Sequence, residues 1–103
     1  MQGVVLQPGG RLDMASYADF ERVVLAALDA GTPWIVLDFS EVFYLGTLAV
    51  RVVMTAVKRL RGAGGRLAIC AMQGPVADVL EISGLTPLLE IYPDRATALA
   101  ALS

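Results

Sequence analysis

The 103-residue chain is 56% hydrophobic and only 17% charged, with a mean hydropathy of +0.65; this excludes intrinsic disorder and predicts one folded domain over residues 1–103. Eight Lys and Arg against ten Asp and Glu leave a net charge of −2, without the cationic surplus that phosphate-backbone binding demands, so nucleic acid is not an expected partner. The lack of histidine and the single cysteine exclude Ser-His, Cys-His and His-metal chemistry and an internal disulfide, and predict a non-enzymatic protein with no cofactor and no metal site, at home in a reducing cytoplasm. The longest charge-free run, Leu67–Ala77, has 11 residues and contains Gly74 and Pro75, well short of the roughly 20 apolar residues of a membrane span. Met1-Gln-Gly-Val-Val-Leu carries neither the charged start nor the apolar stretch of a signal peptide.

In chain order, Val4–Leu6 reads as a short strand, Gly9-Gly10 as a turn, and Arg11–Asp13 as a second extended piece able to close a hairpin with the first. A helix follows, capped by Ser16 or Asp13, with Asp19 in a capping-box relation to Ser16. Tyr17, Phe20, Val24, Ala27 and Leu28 fall on one face before Gly31 stops it. Trp34–Phe39 is an apolar, β-branched run bounded by Pro33 and Ser40, the pattern of a strand covered on both faces. After the segment Ser40–Gly46 a longer helix runs from Thr47 to Arg61, with Val50, Val53, Met54, Val57 and Leu60 inward, and Gly62–Gly65 ends it.

Arg66–Ala71 is the next strand, with Cys70 as an inert core residue. Gly74-Pro75 opens a short helix facing in through Val76, Val79 and Leu80 and stopped at Gly84. Leu88–Tyr92 gives the last strand, and Asp94 caps a final helix with Ala96, Leu99, Ala100 and Leu102 available to bury. The order β-β-α-β-α-β-α-β-α predicts an α/β fold with a mostly parallel sheet of four to five strands and packed helices.

The series Gly10–Asp13, Ile35–Ser40, Val42–Leu45, Leu60–Gly65, Leu80–Leu85 and Ile91–Asp94 with Ala98-Leu99 resembles the STAS domain of sulfate transporters and bacterial anti-sigma-factor antagonists, over nearly the whole chain. The resemblance implies a partner-binding protein that associates with an anti-sigma factor acting as a serine/threonine kinase, or with stress-signalling scaffold proteins, and is released by phosphorylation at the start of the second helix. Where the family usually reads Asp-Ser-Ser-Gly or Asp-Ser-Thr-Gly, this chain reads Gly46-Thr47-Leu48-Ala49. Thr47 is then the candidate phosphoacceptor, because a phosphate at a helix start meets the positive end of the dipole. The plainer reading of Thr47 is a helix N-cap.

Phe43, Tyr44, Leu45 and Leu48 form an apolar group around the same helix start; with Gly46 and Arg51 they make up the candidate partner-binding set. Arg51, Lys58, Arg59, Arg61 and Arg66 read first as a solvated outer face. The acid pairs Asp19/Glu21 and Asp38/Glu41 read as capping or solvated groups and not as a catalytic dyad. The leading function is a non-enzymatic interaction switch, an anti-sigma-factor antagonist or scaffold component acting on transcription, as a monomer or weak homodimer without membrane insertion. The alternatives are a STAS subunit of an ABC-type lipid transporter and a small-molecule or nucleotide-binding module.

Overall fold

The apolar run that begins at Trp34 lies inside the main sheet. In the computed structural model, which describes residues 2–103, it becomes the third of six strands. The elements are β1 (Val4–Leu6), β2 (Gly10–Leu12), α1 (Tyr17–Asp29), β3 (Trp34–Asp38), β4 (Val42–Leu45), α2 (Thr47–Gly62), β5 (Arg66–Cys70), α3 (Gly74–Ile82), β6 (Glu90–Tyr92) and α4 (Arg95–Leu102). A 3₁₀ turn at Thr86–Leu88 precedes β6, so the predicted strand Leu88–Tyr92 begins two residues late.

β3 lies between β1 and β5, and β6 adds beyond β5, in the order β1-β3-β5-β6; β2 pairs separately with β4, and all these pairings are parallel. The expected β1–β2 hairpin therefore does not form. Val4, Val5 and Leu6 pair instead with Ile35, Val36 and Leu37. Pro8 lacks a backbone donor for a ladder, and Gly10, at φ 76°, turns its N–H to the Glu41 carbonyl at 2.8 Å. The segment before the second helix, expected as a connection, is strand β4.

Side-chain alternation along β3 and β5 builds two cores of unequal size. Ile35, Leu37, Leu67 and Ile69 face α1 and α2, joined there by Phe20, Val24, Leu28, Val50, Val53, Val57 and Leu60. Val36, Ala68 and Cys70 face the other way, beneath Ala98 and Leu102 of α4. The inward residues of α1, α2 and α3 match the expected stripes closely; those of α4 do not, since Ala98 and Leu102 are buried while Ala96 and Ala100 are exposed. Ser16 does stand at the N-cap of α1, but its side chain caps nothing. Its hydroxyl donates to the Arg11 carbonyl, and the Asp13 carboxylate takes the N–H groups of Ala15 and Ser16. Asp19 makes no capping box; it points to solvent and pairs with Arg22 at 3.8 Å.

The turn from α2 into β5 depends on a close approach. Gly65 donates its N–H to the Leu60 carbonyl at 2.6 Å, and a Cβ on it would lie 2.6 Å from the Pro33 carbonyl oxygen. Gly62, the last residue of α2, has open space around it. Gly65→Ala is therefore expected to destabilise by about 1–3 kcal/mol through forced backbone displacement. Gly62→Ala should be neutral or stabilise by up to ~1 kcal/mol; urea unfolding midpoints of the two variants check this contrast.

Candidate functional site

The start of α2 is set by the β2–β4 pair. Gly46 donates its N–H to the Leu12 carbonyl at 2.9 Å and accepts the Val50 N–H as the helix N-cap, at φ −84° and ψ 173°. Thr47 is thus the first helical residue and not the cap, contrary to the plainer sequence reading, and its exposed hydroxyl makes no capping bond. A Cβ at position 46 would meet the Leu12 carbonyl oxygen at 3.2 Å and the Tyr44 ring at 3.4 Å, so the bare glycine lets strand and ring close tightly over the helix start.

Strand β4 divides the apolar group. Val42 and Leu45 enter the core, at 0% and 3% exposure, whereas Phe43 and Tyr44 remain 53% and 42% exposed. Leu48 is half-buried and Arg51 is exposed on the first turn of α2. Leu45 is therefore a core residue that anchors the strand, and the accessible set is Phe43, Tyr44, Thr47, Arg51 and part of Leu48. The Tyr44 ring is held by a residue the sequence reading left out: the Arg11 guanidinium, opposite Tyr44 in the β2–β4 register, lies 4.3 Å from its centroid. Such a contact contributes roughly 0.5–1 kcal/mol at an exposed site and pre-orients the ring.

A shallow groove runs from Tyr44, Gly46, Thr47 and Val50 to Val79 on α3 and Ser83 just past its end. Ile82, beside Ser83 at the end of α3, is 87% exposed. Sequence reasoning missed it because the only signal available, one isoleucine off the inward stripe of a short helix, is common on any surface.

A separate polar cluster sits where β1, β3, β5 and β6 end. Asp38, 5% exposed, accepts from the Ser40 N–H at 3.0 Å and from Arg95 Nε at 2.9 Å. Arg95 also donates to Gln7 Oε1, Gln7 Nε2 donates to the Ser40 hydroxyl, and Gln73 Nε2 donates to the Ser40 carbonyl. Burial by itself would raise the Asp38 carboxyl pKa, but the Ser40 N–H and hydroxyl and the Arg95 guanidinium favour the anion and hold it below its usual value. Asp38 thus acts as a fully partnered structural carboxylate. Burial, with the Asp38 charge second, raises the pKa of the neighbouring Cys70 thiol, so this cysteine is not an activated nucleophile.

The arrangement offers an exposed aromatic edge at a helix start held by the β2–β4 pair, and no nucleophile and base are assembled there among the described residues. The sequence matches the STAS domain family over residues 2–98. It is 32% identical, over 92 residues covering 89% of this chain and 79% of the relative, to BtrV of Bordetella bronchiseptica, whose name assigns it as an anti-sigma factor antagonist. The fold superposes with a TM-score of 0.87 on an anti-sigma factor antagonist from Mycobacterium paratuberculosis at 24% identity, covering 99% of this chain and 87% of that one. It superposes with a TM-score of 0.78 on phosphorylated SpoIIAA, a Bacillus cell fate determinant, at 18% identity over all of this chain and 94% of the other. Among the described residues no helix is long and apolar enough to cross a membrane.

Two outcomes follow from the geometry. Because Thr47 caps nothing, Thr47→Ala should change stability by less than about 0.5 kcal/mol, against the ~1 kcal/mol of a lost cap, as read from chemical denaturation. Because the folded-state pKa of Asp38 lies below the unfolded value of about 3.9, its contribution is present above that pH and lost as pH falls through the folded pKa. Asp38→Asn should lower stability at pH 7 and flatten its decline between about pH 5 and pH 2, measured by urea midpoints across that range.

Proposed function

The chain belongs to the STAS domain family, and from that premise we propose that it is a non-enzymatic protein-interaction switch of the anti-sigma-factor-antagonist type, docking its partner through the β4–α2 edge. The observation that carries this reading is the exposure of Phe43 and Tyr44 on a strand whose flanking residues, Val42 and Leu45, are in the core. Two adjacent aromatic side chains in water are an unfavourable surface without a partner to cover them, and aromatic anchors dominate interface energetics. The groove between Tyr44 and Val79 of α3 gives that partner a place to insert an apolar side chain, and Ile82, next in the chain to the groove residue Ser83, is exposed.

The partner in this proposal is an anti-sigma factor with kinase activity or a stress-signalling scaffold protein; the relatives' names support the anti-sigma factor. Thr47 is the phosphoacceptor in this proposal. It is the only aliphatic hydroxyl between Tyr44 and Arg51, it is exposed, and its place on the first turn of α2 puts an added dianion at the positive end of the helix dipole while leaving the core untouched. The phosphate would then act on the docked partner by charge and bulk.

Affinity measurements with the recovered partner test the docking edge. Tyr44→Ala and Phe43→Ala should each weaken binding by at least 1–2 kcal/mol, while Lys58→Ala on the outer face of α2 should do less; unchanged affinity in folded aromatic variants would remove the edge from the interface. A cognate kinase should label the parent protein and not Thr47→Ala, and Thr47→Glu should weaken binding with the fold intact. Label retained in Thr47→Ala would place the acceptor elsewhere.

A further inference from the structure

The small core on the α4 side of the sheet depends on a single short helix. α4 packs against β3, β5 and β6, and of its eight residues only Ala98 and Leu102 are buried, with Leu99 half-buried. Beneath them lie Val36, Ala68 and Cys70, all at 0% exposure. By contrast the opposite face is covered by α1 and α2, which pack against each other as well as on the sheet. Val5, Trp34 and Tyr92 flank this small cluster, and polar bonds fasten α4 at its two ends. Arg95 reaches the buried Asp38 at 2.9 Å and Gln7 at 3.0 Å, and near the other end Arg66 Nη1 donates to the Ala101 carbonyl at 3.3 Å. Segments with few buried apolar contacts open at lower free energy than the domain as a whole.

We propose that α4 is a releasable strap, which opens by local unfolding when the Arg95–Asp38 clasp lets go, uncovering the Val36–Ala68–Cys70 face while the sheet and the α1–α2 layer stay folded. Opening removes the cover over one apolar face of a sheet whose other face is closed by two mutually packed helices, and gives the chain a second apolar surface that the closed form hides. The polar clasp sets how often this happens, because releasing Arg95 detaches the start of the helix from the buried Asp38 and leaves Ala98, Leu102, the half-buried Leu99 and the Arg66 bond to hold it.

Cys70 is the chain's sole cysteine and reports the event directly. Its labelling by a small thiol reagent is measured in the parent protein and in Arg95→Ala across sub-denaturing urea, beside the global unfolding curve. Local release is expected to give a labelling rate whose urea dependence is less than half as steep as that of global unfolding, and Arg95→Ala should speed labelling at least tenfold. Hydrogen exchange of the unmodified protein gives a readout independent of any variant: amides of residues 99–102 should exchange faster than those of β6. A labelling rate with the full urea dependence of global unfolding, an Arg95→Ala variant that folds and labels no faster than the parent, or β6 amides that open together with α4 would each overturn the proposal.

Discussion

The parallel pairing of β3 with β5 is the constraint on which the other elements depend. Five consecutive residue pairs, Trp34 with Arg66 through Asp38 with Cys70, align the two strands, and from Ile35 to Asp38 and Leu67 to Cys70 every side chain is buried. Strands buried on both faces require covering layers on both sides. The chain supplies α1 and α2 to one face and α4 to the other, and the connection that returns the chain from β3 to β5 is α2 itself. Each fully buried Val, Leu or Ile in these strands contributes roughly 1.5–3 kcal/mol of gross burial energy, so the position of α2 is fixed by the central sheet and not by its own first turn.

The first turn of α2 is placed by the β2–β4 pair. After Asp38 and Phe39 the chain leaves the central sheet, with Asp38 holding the Ser40 N–H at the exit, and is caught by β2 through the β4 pairing. Leu45 is driven into the core while Phe43 and Tyr44 are left outside. Gly46 then starts α2 with no charged side chain beside the exposed Thr47. An acidic residue in that place would add a negative charge near the helix N-terminus; here the charges at the edge are the Arg11 guanidinium over Tyr44 and Arg51 on α2.

The parts of this structure legible in the sequence are those where burial is uniform or strictly periodic. β3 and β5 announce themselves as apolar runs, and α2 by the spacing of Val50, Val53, Val57 and Leu60. Strand pairing was not legible for β1 and β2, because two short extended pieces around Gly9-Gly10 fit a hairpin locally, while their partners lie about thirty residues away and are chosen by the central sheet. β4 escaped for a different reason: two exposed residues between two buried ones carry neither a period of 2 nor a continuous apolar run. In α4, alanine at positions 96, 98, 100 and 101 erases the contrast from which a helical phase is read. The sequence places the helix start at about Thr47, and its hydroxyl reads as the cap because a side-chain oxygen there can accept an orphan helix N–H; the close approach of the Leu12 carbonyl that favours glycine at position 46 is a tertiary fact.

The central claim is that the partner covers the β4–α2 edge. The most direct measurement is amide chemical-shift mapping of the isotope-labelled chain on addition of the anti-sigma factor proposed as its partner. The account requires the largest changes at residues 43–51 and along the end of α3 near Ile82, with little change at β6 and α4. Changes concentrated on β6 and α4, with Phe43 and Tyr44 unmoved, would contradict it.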